Sequence, residues 1–130
     1  MTLAQQMNQI NVVDSLENDP NDSPYVVVEE SATFRGGDIN SFRIYIQETI
    51  TFPPECADVD VFGKVIVQFC VNKYGKVVDV RVIKGVHPIL DIPTVKAFED
   101  SNKTNTWKPA MQNHKPVKQM FTIPIVYYMQ

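Results

Sequence analysis

Long apolar runs are missing from this sequence of 130 residues, and no stretch approaches the ~18 consecutive apolar residues that a membrane-spanning helix requires. No segment reads as a charged start followed by an apolar signal core. Glycine is scarce, with 5 residues and no biased tract, which argues against collagen, coiled coil or wholesale disorder. Cysteine is scarcer still: Cys56 and Cys70 match neither a C-x-x-C redox pair nor metal-site spacing, and on count alone they leave the redox compartment open. Histidine is limited to His87, beside a proline, and His114, in the loop MQNHKP. Neither has a carboxylate or cysteine at a spacing that would bring them together. Paired carboxylates, a nucleophile elbow, a phosphate-cradling glycine loop and HExxH are all missing too. The expectation is no catalytic residue, no metal site and no cofactor.

Basic residues are absent from the start of the chain. Residues 1 to 34 hold six acids (Asp14, Glu17, Asp19, Asp22, Glu29, Glu30) and no Lys or Arg, whereas the remainder holds all 12 bases against 9 acids, which together give the net charge of −3. A surplus of three basic charges spread over that remainder is far from the clustered footprint of a nucleic-acid binder, so neither DNA nor RNA is expected as a partner.

What is present is one core's worth of apolar residues, 44% of the chain, enough for a single domain. Residues 1 to 24 end in LENDPNDSPY, sustain no period and read as a flexible tail or linker, leaving 25 to 130 as the domain. Tyr25 to Glu30 is β-branched and could form a short strand before Arg35-Gly36-Gly37 interrupts it. Asp38 can cap a helix over 39 to 49, because Ile39, Phe42, Ile46 and Ile50 recur at spacings of three and four, and Pro53-Pro54 forbids continuation.

From Gly63 the period changes to two. Val65, Val67, Phe69 and Val71 share one side of a strand, and Val78, Val80 and Val82 share a side of the next. Asn72-Lys73-Tyr74-Gly75 between them is a hairpin turn. Asp91 before Ile92-Pro93 predicts an acid-capped second helix over 92 to 101, with Ile92, Val95 and Phe98 inward. Residues 117 to 128 alternate again and predict a third long strand, with one of Tyr127 and Tyr128 inward. The fold class is therefore α+β, a two-layer sandwich of a three-stranded antiparallel sheet with two helices on one face.

Pro124 lies in that last strand, and a strand residue without an N–H belongs at a sheet edge or a bulge. An open edge is a liability unless blunted or used, and strand addition by an extended peptide is the mechanism that uses it. Trp107, the single tryptophan, reads as a packing residue rather than a binding anchor. Cys56 and Cys70 read as small apolar residues.

The ordered motifs resemble the C-terminal domain of TonB, the energy transducer of Gram-negative bacteria, in the form common among Bacteroidetes. They run from Phe34-Arg35-Gly36-Gly37 through Phe52-Pro53, Gly63 to Phe69, Asn72 to Gly75, Lys84 to Pro88, Leu90-Asp91, Trp107 to Ala110 and Lys115 to Ile125. His114 stands where the family has Gly, and Phe52 where it has Tyr, so any bond made by that phenolic hydroxyl is lost here.

The resemblance implies a periplasmic, non-enzymatic domain, anchored to the inner membrane through a segment outside this chain. Such a domain carries force from the inner-membrane ExbB/ExbD motor to outer-membrane TonB-dependent transporters. The transporter's TonB box would add beside the last strand, which carries the binding role onto Val117, Lys118, Gln119, Met120, Phe121, Thr122, Ile123 and Ile125, with Phe52 and Pro53 contacting the transporter nearby. A homodimer by strand exchange stays open. Cys56 and Cys70 fall at small or apolar positions of the family pattern, which implies two free thiols. The alternative reading is a sensor or regulatory TonB-like domain appended to a membrane-bound peptidase.

Overall fold

The computed structural model describes residues 22–50 and 62–128. Along them follow helix α1 (Ile39–Thr49), strands β1 (Gly63–Val71) and β2 (Val77–Lys84), helix α2 (Pro88–Asp100), a 3-10 turn (Ser101–Lys103), the short strands β3 (Ala110–Gln112) and β4 (Lys115–Val117), and β5 (Gln119–Tyr127). The main sheet has the order β2-β1-β5, both pairings antiparallel, while β3 and β4 form a separate two-stranded hairpin. The α+β sandwich read from the sequence is the fold that forms.

β1 sits centrally because it is the most continuously apolar segment. Val65, Val67, Phe69 and Val71 are fully buried toward the helices. Opposite them on β5, Ile123, Ile125 and Tyr127 are buried on the same face, in a ladder that runs unbroken from Gly63↔Tyr127 to Val71↔Gln119. Helix α1 begins where Asp38 Oδ1 accepts the Asn40 N–H at 3.0 Å, and it buries Phe42 and Ile46 with Ile39 and Ile50 alongside. Phe42 lies 4.9 to 5.5 Å, centroid to centroid, from the rings of Phe34, Phe69, Phe98 and Trp107. Burying one such ring contributes about 2–3 kcal/mol, so this cluster is where the two layers are joined. Trp107 is 3% exposed within it, as the packing role requires.

The hairpin turn is held by Asn72, whose Oδ1 accepts N–H bonds from Tyr74 and Lys76, both at 3.0 Å. Gly75 has φ +82, and a Cβ there would lie 2.2 Å from the Trp107 carbonyl oxygen. The Gly75 carbonyl accepts the Trp107 N–H at 2.9 Å, so the turn and the aromatic core are stitched together.

Four expectations are corrected. On β2 the core-facing residues are Val77, Val80 and Val82, not Val78, which pairs with Cys70 on the back of the sheet. A bulge at Asp79 (φ +55) opposite Phe69 inserts one residue and flips the alternation. Helix α2 starts a turn earlier than 92: His87 is its N-cap, with Nδ1 accepting the Ile89 N–H at 3.1 Å, and Pro88 occupies the first position. Asp91 instead lies inside the first turn, where Oδ1 accepts the Val86 N–H at 3.0 Å.

The inward stripe of α2 is Leu90, Thr94 and Phe98, while Ile92 is 68% exposed and Val95 only half-buried. Thr94 can be internal because its hydroxyl donates to the Leu90 carbonyl and shares a 2.6 Å bond with Tyr127 Oη. Finally, residues 117 to 128 are not one strand. Val117 ends β4, paired with Ala110, and β5 begins only at Gln119. Tyr127 is the inward ring and Tyr128 is exposed, and Cys70 is a buried free thiol.

Candidate functional site

β5 is an edge strand, and alternation decides which of its main-chain groups face out. Residues 119, 121, 123, 125 and 127 pair with β1 and send their side chains to the core. Residues 118, 120, 122, 124 and 126 therefore aim their N–H and C=O groups away from the sheet. Two contacts verify the direction. The Met120 N–H donates to the Tyr25 carbonyl at 2.9 Å, and the Val126 N–H donates to Gln47 Oε1 at 3.0 Å.

The edge so defined is short. At its start Tyr25 lies parallel to β5, its N–H donating to the Lys118 carbonyl at 2.8 Å while its own carbonyl takes the Met120 N–H. At its far end the Gln47 side-chain amide takes both groups of Val126, with Nε2 donating to the carbonyl at 2.6 Å. Pro124 has no N–H, and its missing donor points outward. Among the described residues this leaves Thr122, exposed and with both main-chain groups open, as the one outward position of β5 that retains an unpaired donor.

The predicted binding residues divide accordingly. Lys118, Met120 and Thr122 face the edge. Gln119, Phe121, Ile123 and Ile125 give their main chains to β1 and their side chains to the interior. Gln119 Oε1 accepts the Ala32 N–H at 2.8 Å. Val117 belongs to β4, and Phe52 and Pro53 lie outside the described residues. Tyr25 and Gln47 are not among the residues predicted for the site, whereas Pro124 and Val126 fall within the strand Val117 to Val126 read from the sequence, and Pro124 alone marks the edge. Nothing in sequence flags Gln47, which reads as an ordinary polar residue on a helix.

On the back of the sheet, a depression of about 440 Å³ is lined by Asp22, Pro24, Gln68, Cys70, Asp79, Arg81, Lys118 and Met120, with Val80. Lys118 Nζ lies 2.8 Å from Asp79 Oδ2, with the lysine side chain 3% exposed. Such a pair offsets part of the cost of burying the ammonium, and it shares the lining of the depression with Asp22 and Pro24. Burial pushes the Cys70 thiol above its ordinary pKa, with Lys118 opposing. His87 caps α2 and His114 sits in the β3–β4 turn. Among the described residues no group of three or more His, Cys, Asp or Glu side chains could hold a metal ion, and no helix is long and apolar enough to cross a membrane.

Fold and edge together define a small two-layer interaction domain whose sheet is left unclosed on one side. The family model "Gram-negative bacterial TonB protein C-terminal" matches residues 48–129, more than half of the chain, and the chain belongs to that family. Two solution structures of the Helicobacter pylori TonB C-terminal domain share the fold. One aligns with TM-score 0.52 at 22% identity, covering 70% of this chain and 92% of that one. A longer version aligns with TM-score 0.51 at 22% identity, covering 73% and 87%. The search among curated proteins found no match. Membership gives the chain a TonB-like energy-transducer role in a periplasmic, non-enzymatic family that interacts with TonB-dependent transporters.

Proposed function

We propose that the outer edge of β5 receives the TonB box of an outer-membrane transporter as an added strand. Through that strand the domain passes force from the inner-membrane ExbB/ExbD motor for substrate uptake. The reading takes residues 25–130 as the transducing domain, residues 1–24 as the linker leading toward an inner-membrane anchor, and Phe52-Pro53 as a second transporter contact.

The observation that carries it is the outward row of main-chain groups around Thr122 in a fold of this family. A main-chain hydrogen bond contributes about 0.5–1.5 kcal/mol net, so a few of them give a contact that depends little on side-chain identity and can be released. That suits a transducer serving several transporters. The outward face of Pro124 confines the strongest pairing to the part of β5 before it.

Titration of the isotopically labelled chain with a synthetic peptide from a transporter's N-terminal box tests the reading. Amide shifts concentrated between Lys118 and Val126 are the expected result. Shifts on α1 and α2 with β5 unmoved would overturn it. The peptidase-linked alternative is favoured by neither the family match nor the structural neighbours.

A further inference from the structure

We propose that the segment around Tyr25 is a built-in competitor for the edge of β5, held where a partner strand would pair and displaced when one binds. The inference rests on the reading of β5 as the receiving strand. It names the group that must leave for pairing to extend before Thr122.

The short strand that the sequence allowed over Tyr25 to Glu30 is reduced to single bridges at Tyr25 and Glu30, and Tyr25 alone pairs with β5. Tyr25 makes both main-chain bonds that an added strand would make at Lys118 and Met120. Its sequence, Tyr25-Val26-Val27-Val28, is aromatic and β-branched. It is also tethered nearby: Glu30 exchanges two main-chain bonds with Met111, Thr33 exchanges two with Lys108, and Ala32 and Phe34 are 1% exposed. Only Val26 to Glu29 separate Tyr25 from that anchor, so the effective concentration of the cover at the edge is high, in the millimolar range typical of short tethers.

The hold itself is weak. Val26 and Val27 are 70% and 82% exposed, and Tyr25 is 41% exposed. Val28 packs against the core, but Tyr25 to Val27, held by two main-chain bonds with little apolar burial, lie at the low-stability end of the molecule, where local opening is easy. A strand that binds only the uncovered edge sees its apparent affinity reduced by the fraction of molecules that are uncovered. Gln47 on Val126 and the missing donor of Pro124 bound the other end, so displacing Tyr25 is the step that lengthens the site.

The test uses the full chain, its Tyr25→Pro variant and, as probe, a synthetic peptide with the sequence of residues 22–30. Proline removes the N–H that donates to Lys118. The variant is expected to bind the probe about tenfold more tightly than the parent, with the Met120 amide exchanging faster in the free variant and becoming protected again on binding. In the parent, saturating probe should expose the Tyr25 amide to exchange while Met120 stays protected. This second readout needs no variant and stands if Tyr25→Pro does not fold. Equal affinity of variant and parent, absence of probe binding to both, or a Tyr25 amide that stays protected with probe bound would each overturn the proposal. If the probe behaves as expected but transporter peptides do not bind, the competitor stands and the proposed function fails.

Discussion

The side-chain amide of Gln47 pairs with the main chain of Val126 as a neighbouring strand would, donating to its carbonyl at 2.6 Å and accepting its N–H at 3.0 Å. A helix side chain thereby finishes the sheet edge that no strand among the described residues closes, and it ties α1 to β5 at the end away from Tyr25.

Replacing Gln47 by Ala removes both bonds and leaves two part-buried main-chain groups to find water. The expected cost is about 1–3 kcal/mol in a urea melt, with faster exchange of the Val126 amide and little change at Met120. An unchanged Val126 amide would show that the pairing does not persist in solution.

His114 shares the β3–β4 turn with Asn113, at φ +64 and +53 respectively. Two consecutive positive φ values favour Asn-Gly, and a histidine in the second position carries a left-handed penalty of about 1 kcal/mol. Relief of that penalty, net of the extra freedom glycine gives the unfolded chain, should leave His114→Gly more stable by up to about 0.5 kcal/mol, measurable as a slightly higher midpoint in chemical denaturation.

The parts legible in sequence are those where a single pattern is uncontested. Asp38 with the isoleucine and phenylalanine spacing placed α1, and Gly75 between two alternating runs placed the hairpin. Elsewhere a long-range partner decided. Thr94 reads as a surface residue until Tyr127 and Leu90 accommodate its hydroxyl. Asp79 gives no sign of a bulge. Lys118 reads as an exposed strand residue, yet it is buried against Asp79 at the break between β4 and β5. The edge itself was visible through Pro124, but its occupants were not, because Tyr25 and Gln47 come from segments far away in sequence and neither is chemically unusual.

Burial is the chief cause that pushes the Cys70 thiol above the ordinary cysteine range. A group raised on folding contributes its stability fully below the unfolded pKa and loses it as pH climbs through the folded one, so the chain should weaken in alkali above about pH 9. In a Cys56→Ser background, thiol labelling of the folded chain near pH 8 should run at least about tenfold slower than in denaturant. Equal rates would contradict the burial of Cys70.

The most direct measurement is peptide binding by Thr122→Pro, which deletes the one donor on the outer row of β5 that is unpaired among the described residues, at an exposed position. Phe121→Pro is its control, since the Phe121 main chain pairs with Phe69 inside the sheet and its loss should unfold the domain. Thr122→Pro should keep the parent's amide spectrum and bind a transporter box peptide about tenfold more weakly, the loss of one or two main-chain bonds. A folded Thr122→Pro that binds the peptide as tightly as the parent would contradict strand addition at this edge.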